Sequence, residues 1–149
     1  MAVRISQAGV ADVQDIAPLF DAYRQFYKQA PDLHAAQHYL KARLSAGQST
    51  IFLARGDSGA AAGFTQLYPT FCSVSAAQIW VLYDLFVARS ARRRGIGRAL
   101  LQHARAFCGQ TGAAWMKLET EHTNIAGQTL YESEGWERDT EYRTYTVTL

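Results

Sequence analysis

The stretch that decides the reading is Leu82-Tyr83-Asp84-Leu85-Phe86-Val87-Ala88-Arg89-Ser90-Ala91-Arg92-Arg93-Arg94-Gly95-Ile96-Gly97-Arg98. Its first part is rich in aromatic and branched apolar residues, the composition of a strand. Arg92 to Gly95 break that pattern. From Gly95 onward Ile96, Leu100, Leu101, Ala104, Phe107 and Cys108 recur at helical spacing on one face. A strand therefore runs through a basic, glycine-bearing bend into a helix. Such a helix start leaves backbone N–H groups unpaired and carries partial positive charge, both of which suit a diphosphate. Gly95 and Gly97 clear side chains from the bend, and Arg92, Arg93, Arg94 and Arg98 can add charge-assisted hydrogen bonds. No Gly-Lys-Ser/Thr follows, so this is not a Walker A loop, and G-x-G-x-x-G with its downstream ribose carboxylate is absent too.

Working outward, Val3 to Ser6 is a first strand. A helix capped by Asp12 runs to about Lys28, before Pro31, and a second capped by Asp32 runs through Leu44 to a stop at Gly47. Strands are predicted at Thr50 to Ala54, Ala61 to Tyr68 (ending before Pro69) and Gln78 to Val87. After the helix that Gly109 and Gly112 close, Ala114 to Thr120 is a strand. Thr123 or Asn124 caps a last helix to Glu134, ended by Gly135, and strands follow at Trp136 to Asp139 and Arg143 to Leu149. The order is β-α-α-β-β-β-α-β-α-β-β, an α/β (α+β) chain whose natural packing is a mixed sheet with helices on both faces.

The 149 residues, 48% hydrophobic and 12% aromatic, fit one domain over 1–149 with a sizeable core and exclude a disordered chain. The net charge is only +2, but no acidic residue falls between Leu85 and Leu118 while Arg89, Arg92, Arg93, Arg94, Arg98 and Arg105 do. A local basic segment in a near-neutral chain points to a local anionic ligand. The run Arg92 to Arg94 is too short for a nucleic-acid face, so no nucleic-acid partner is expected. Cys72 and Cys108 form neither a disulfide framework nor a Cys/His cluster, and His34, His38, His103 and His122 lack ligand spacing, so no metal is expected. Arg4, Gln7 and Asp12 interrupt the N-terminal region and no long apolar span follows. No membrane association and a cytoplasmic location are the expectation.

Two patterns together resemble the GNAT superfamily of N-acetyltransferases. Asp84-Leu85-Phe86-Val87 with Arg92-x-x-Gly95-x-Gly97 and Leu100-Leu101 is similar to that family's acetyl-CoA motif. Asn124-Ile125-Ala126, Leu130-Tyr131-Glu132 and Gly135-Trp136 look like its second signature. The resemblance implies the GNAT fold, with a mixed, mostly antiparallel central sheet flanked by helices. It also implies acetyl-CoA as acetyl donor and direct attack by an amine in a ternary complex. Leu85, Phe86 and Val87 would pair with the pantetheine arm. The amides from Arg93 to Arg98, including Gly95, Ile96 and Gly97, would hold the pyrophosphate, with Arg92 beside them, and Asn124 would face the cofactor arm.

The same resemblance makes Tyr131 the acid for the departing thiolate and Asp84 the leading base or cation anchor, with Glu119 and Glu121 behind it. Tyr27 would line the acceptor site, with Tyr23, Phe26 and Tyr68 as further wall residues, and Asp84 and Glu119 would also meet the substrate. The Leu-x-Asp-Leu-Phe-Val strand is similar to the diamine and histone acetyltransferase branch, but Tyr83 stands where diamine enzymes typically carry Glu. The expected partner is a small-molecule primary amine. Protein lysines, a non-catalytic acyl-CoA-binding regulatory domain, and a homodimer through the last strand stay open.

Overall fold

The structure, a computed structural model, describes residues 2–149. Two compact units divide the chain, Met1–Glu119 and Thr120–Leu149. The first holds β1 (Arg4–Gln7), α1 (Val13–Phe26), α2 (Leu33–Ser45), β2 (Thr50–Arg55), β3 (Ala61–Cys72), β4 (Ala77–Val87), α3 (Ile96–Gln110) and β5 (Met116–Leu118); the second holds α4 (Ile125–Ser133). Short 3-10 turns precede α1 at Val10–Asp12 and α3 at Arg89–Ala91.

The sheet runs in chain order β1-β2-β3-β4-β5. Its first four strands are antiparallel neighbours and β5 joins β4 in parallel, giving the mixed, mostly antiparallel sheet that was expected. Alternation along β2 sends Ile51 and Leu53 to one face and Phe52 to the other. On the first face Ile51, Leu53 and Phe64 pack with Ile16, Phe20, Ala36 and Leu40 of α1 and α2. On the opposite face Phe52 meets His103 and Phe107 of α3, and Phe107 also meets Trp80. Phe64 is fully buried, in edge contact with Phe20 and Tyr23. Phe64→Ala is therefore expected to cost about 3–5 kcal/mol of stability, read by urea denaturation. A loss under about 1 kcal/mol would show that this core is not packed as described.

Local chemistry moves several boundaries. Lys28 takes a left-handed φ of 66°, so α1 stops ahead of Pro31. Asp12 stands at the N-cap of α1 but makes no capping bond to it. Its carboxylate accepts from Gly9 N at 2.9 Å and from Arg55 Nη2 at 3.1 Å, and Arg55 also holds Asp15 at 2.8 Å, which ties the end of β2 to the start of α1. Asp32 caps α2 as expected, accepting from Ala35 N at 2.9 Å, and Gly47 closes it at φ 64°. β3 continues through Pro69 because β2 pairs only as far as Leu67; past that point β3 has β4 on one side alone, where proline costs no ladder bond on the open side.

Neither strand expected after α4 forms: Trp136 to Asp139 and Arg143 to Leu149 carry no strand, so the observed order ends β-α-β-α. Gly135 takes φ 84° and the Trp136 amide donates to Tyr131 O at 3.0 Å, so Trp136 closes α4 instead of entering a ladder. From Tyr142 to Leu149 the alternation buries no face: Tyr142, Tyr145, Val147 and Leu149 are all exposed. Period-2 patterning specifies a strand only where a neighbour supplies hydrogen bonds and one face is covered. No helix among the described residues is long and apolar enough to cross a membrane.

Candidate active site

The end of β4 is open on one side. β5 pairs with β4 only from Trp80 to Leu82, so Asp84 to Val87 keep β3 but have no β5 partner, and Glu119 follows β5 at the point where the two strands part. The Ala88 amide donates to Ala62 O at 2.8 Å. By the alternation of an antiparallel ladder, Phe86 also turns its backbone to β3, while Leu85 and Val87 present theirs to the open edge. Of the three residues expected to pair with a ligand arm, Leu85 and Val87 offer backbone groups. The Phe86 ring instead carries the guanidinium of Arg92, 5.5 Å from its centroid.

Arg92 joins this edge to the basic bend. Its Nε donates to Val87 O at 3.0 Å, so part of its donor capacity closes the strand-to-helix turn. Arg93 takes φ 61° and Gly95 φ 78°, two left-handed residues that reverse the chain within three positions. Gly95 is the N-cap of α3, with no side-chain cap, and no acidic residue lies in the first turn. The first helical bond is Ala99 N to Gly95 O at 3.0 Å. The N–H groups of Gly95, Ile96 and Gly97 therefore precede the helical ladder. Ile96 is buried and pins the turn, whereas Arg93, Arg94 and Arg98 are exposed. An edge that keeps the Leu85 groups and the Val87 amide without a strand partner, running into a positive helix terminus, fits an extended amide-bearing arm that ends in a diphosphate.

One extra residue on β4 creates the rest of the site. Gln66 pairs with Asp84 but Leu67 with Leu82, leaving Tyr83 as a bulge. Asp84 is buried, and Gln66 Nε2 donates to its Oδ2 at 2.6 Å. Burial pushes the Asp84 carboxyl above the usual carboxylate range, and hydrogen bonds from Gln66 and Tyr23 pull it partly back. The Oε1 atom of Gln66 is itself buried without a hydrogen-bond partner. The Tyr23 hydroxyl donates to Tyr83 O at 3.3 Å, and the Tyr27 ring lies 5.0 Å from Tyr23. The Tyr68 ring lies tilted against that of Tyr83, centroids 5.3 Å apart, and its hydroxyl is 2.6 Å from that of Tyr39. Desolvation, then the Tyr39 hydrogen bond, raises the Tyr68 phenol. The expected residues Asp84 and Tyr27 thus belong to one cluster, and Glu119 stands at the parting of β4 and β5. Gln66 and Tyr39 were not anticipated. A glutamine inside the apolar run Phe64-Thr65-Gln66-Leu67 was the available signal, since a buried polar side chain needs a polar neighbour.

In the second unit, Asn124 caps α4. Its Oδ1 accepts from Gly127 N at 3.1 Å and its Nδ2 donates to Thr120 Oγ1 at 2.9 Å. One amide hydrogen and one lone pair stay available to a ligand. A Cβ on Gly127 would come within 2.5 Å of that amide, which explains glycine there. Tyr131 lies on α4, half-buried, 6.4 Å from the Trp136 ring.

Residues 15–136 match the model of the acetyltransferase (GNAT) family. The chain belongs to the GNAT acetyltransferases. It is 47% identical over 147 residues to an uncharacterised N-acetyltransferase of Bacillus subtilis, YhfO, covering 99% of this chain and 98% of that protein. A crystal structure of a probable acetyltransferase, 38% identical, superposes with a TM-score of 0.92 over 98% of this chain and 97% of that one. An aminoglycoside N-acetyltransferase in complex with CoA shares the fold, with a TM-score of 0.83 at 19% identity over 99% of this chain and 96% of that one. The GNAT fold read from the two signatures is therefore the fold of this chain, and the enzyme is an acetyltransferase of a family that draws its acetyl group from acetyl-CoA.

Proposed function

We propose that this GNAT enzyme transfers the acetyl group of acetyl-CoA to the primary amine of a small molecule by direct attack in a ternary complex, the chain acting as a single catalytic domain. The observation that carries this is the continuous path from the open edge of β4 at Leu85 and Val87 to the N-terminus of α3, where Gly95 supplies no side-chain cap. Acetyl-CoA supplies an acetyl group activated as a thioester. Leu85 and Val87 hydrogen-bond the pantetheine arm in the manner of an added strand, and one of their N–H groups polarises the carbonyl to be attacked. The amides from Arg93 to Arg98 hold the pyrophosphate, with the arginine side chains adding charge. Asn124 contributes its remaining amide hydrogen to the arm.

An alkyl ammonium must lose a proton before its nitrogen can attack, and the reference value of about 10 keeps it charged at neutral pH. Asp84 accepts that proton, directly or through water. Its raised proton affinity brings it nearer the working pH, where a general base is most effective. Glu119, exposed where β4 and β5 part, and Glu121 are the carboxylates that stand behind Asp84 in this role. Tyr131 donates the proton that the departing sulfur takes up, so one proton leaves the amine and one reaches the thiol.

The phosphate turn is tested by Gly95→Val. A β-branched residue in the left-handed region costs about 1–2 kcal/mol, which the free variant escapes by relaxing the turn and the bound form must meet. The acetyl-CoA dissociation constant is expected to rise by roughly tenfold in calorimetry, with the melting temperature little changed. Unaltered affinity would remove the turn from the donor site.

A further inference from the structure

Among the carboxylates of the first unit, Asp84 has a distinct setting. Asp12 and Asp15 are engaged by Arg55. Asp21 accepts from the Gln25 amide at 3.1 Å and from Asp32 N at 2.9 Å, and Asp32 is spent on capping α2. Asp57 lies in the turn between β2 and β3, and Glu119 lies beyond the end of β5. Asp84 is therefore the one carboxylate of this unit set among the aromatic rings.

Those rings form a connected surface. Tyr23 and Tyr68 both feel the Asp84 carboxylate. Tyr23 meets Phe86 at 6.2 Å, and Tyr68 meets Tyr83 at 5.3 Å. Tyr83 is 62% exposed, because the bulge turns it out of the ladder, so the surface opens to solvent there. A polycation needs several carboxylates along its length. Each further ammonium brought against these rings would lose its water without gaining an opposite charge. A single ammonium meets a carboxylate and electron-rich ring faces together, worth about 0.5–2 kcal/mol per well-placed ring. An apolar body then buries area against the rest at about 25 cal/mol per Å².

We propose that the acceptor is a compact monocationic primary amine with an apolar or aromatic body, its ammonium seated against the rings of Tyr68 and Tyr83 near the Asp84 carboxylate. This rests on the acetyl-transfer reading above and names the substrate class of that site. Polyamines and aminoglycosides are disfavoured to the extent that their further ammonium groups lie against these rings, which hold one carboxylate.

The test uses the full chain with benzylamine, spermidine and kanamycin as acceptors. It combines thiol release from acetyl-CoA with tyrosine-fluorescence titration of each amine into the enzyme without donor. Benzylamine is expected to give the highest kcat/KM and the strongest fluorescence change. Tyr83→Ala, which keeps the backbone carbonyl bound by Tyr23, should raise the KM and the dissociation constant for benzylamine by roughly 3- to 30-fold while the acetyl-CoA affinity holds. Preference for spermidine or kanamycin, or indifference of benzylamine binding to Tyr83→Ala, would overturn the acceptor class and leave acetyl transfer standing. Benzylamine binding that depends on Tyr83 without thiol release from any amine would support the surface and overturn the transfer reading instead. Absence of both binding and turnover for benzylamine would overturn the proposal.

Discussion

Replacing Asp84 by Asn is expected to lower kcat by about 100- to 10,000-fold, the span associated with loss of a general base, while leaving the protein at least as stable at neutral pH. The two halves of this expectation have one cause. Asp84 is buried on the face of β4 that packs on α1, where desolvation makes its charged form costly, and the hydrogen bonds from Gln66 and Tyr23 recover only part of that cost. The folded carboxyl therefore holds its proton more tightly than the unfolded one. Between the unfolded and the folded values the native state binds more protons, so stability falls as pH rises through that window. Asn is neutral throughout and nearly isosteric, and it removes that loss. A thermal melt across acidic to neutral pH should show the wild-type declining where the variant does not. The activity profile should show the wild-type gaining rate as Asp84 ionises and the residual activity of the variant lacking that limb. A variant that keeps its turnover would place the base elsewhere, with Glu119 next in line.

Tyr131→Phe should reduce kcat by roughly 10- to 1000-fold with the acetyl-CoA dissociation constant near normal, as for removal of a general acid. A phenol with a reference value of about 10 is protonated at neutral pH and can give its proton to a departing thiolate. Phe keeps the ring that lies 6.4 Å from Trp136 and removes only the hydroxyl, so the packing within the second unit should survive. Two controls separate chemistry from structure. The melting temperature should hold within a few degrees, and a more reactive thioester, whose leaving group needs less protonation, should recover part of the lost rate. A variant with full turnover would remove Tyr131 from the reaction. A variant that fails in acetyl-CoA binding instead would make its role one of donor binding.

The sequence carried the secondary structure where one local signal dominated. Asp32, Asn124 and Gly47 each do at a helix end what their chemistry suggests, because a cap is decided within four residues. The bend from Val87 to Gly97 was legible for the same reason. Features that depend on a partner strand were not. The bulge at Tyr83 exists only in the register of β4 against β3, and with it the pairing of Asp84 to Gln66. Pro69 looked like a strand end because nothing in a linear reading shows that β2 has already stopped. The alternation from Arg143 to Leu149 looked like a strand for the converse reason: the pattern is present, but no ladder or buried face accompanies it. The aromatic residues of α1 were ambiguous between core and site, and they divide in their surroundings. Phe20 packs in the core while Tyr23 reaches Asp84.

The measurement that bears most directly on the site is a two-dimensional amide NMR titration of the enzyme with CoA. The backbone amides of Leu85 and Val87, and those from Arg93 to Arg98, are expected to shift together and saturate at one dissociation constant, with Phe86, which faces β3, moving less than its two neighbours. Saturable binding that leaves Leu85, Val87 and the start of α3 unmoved would contradict the donor path along β4.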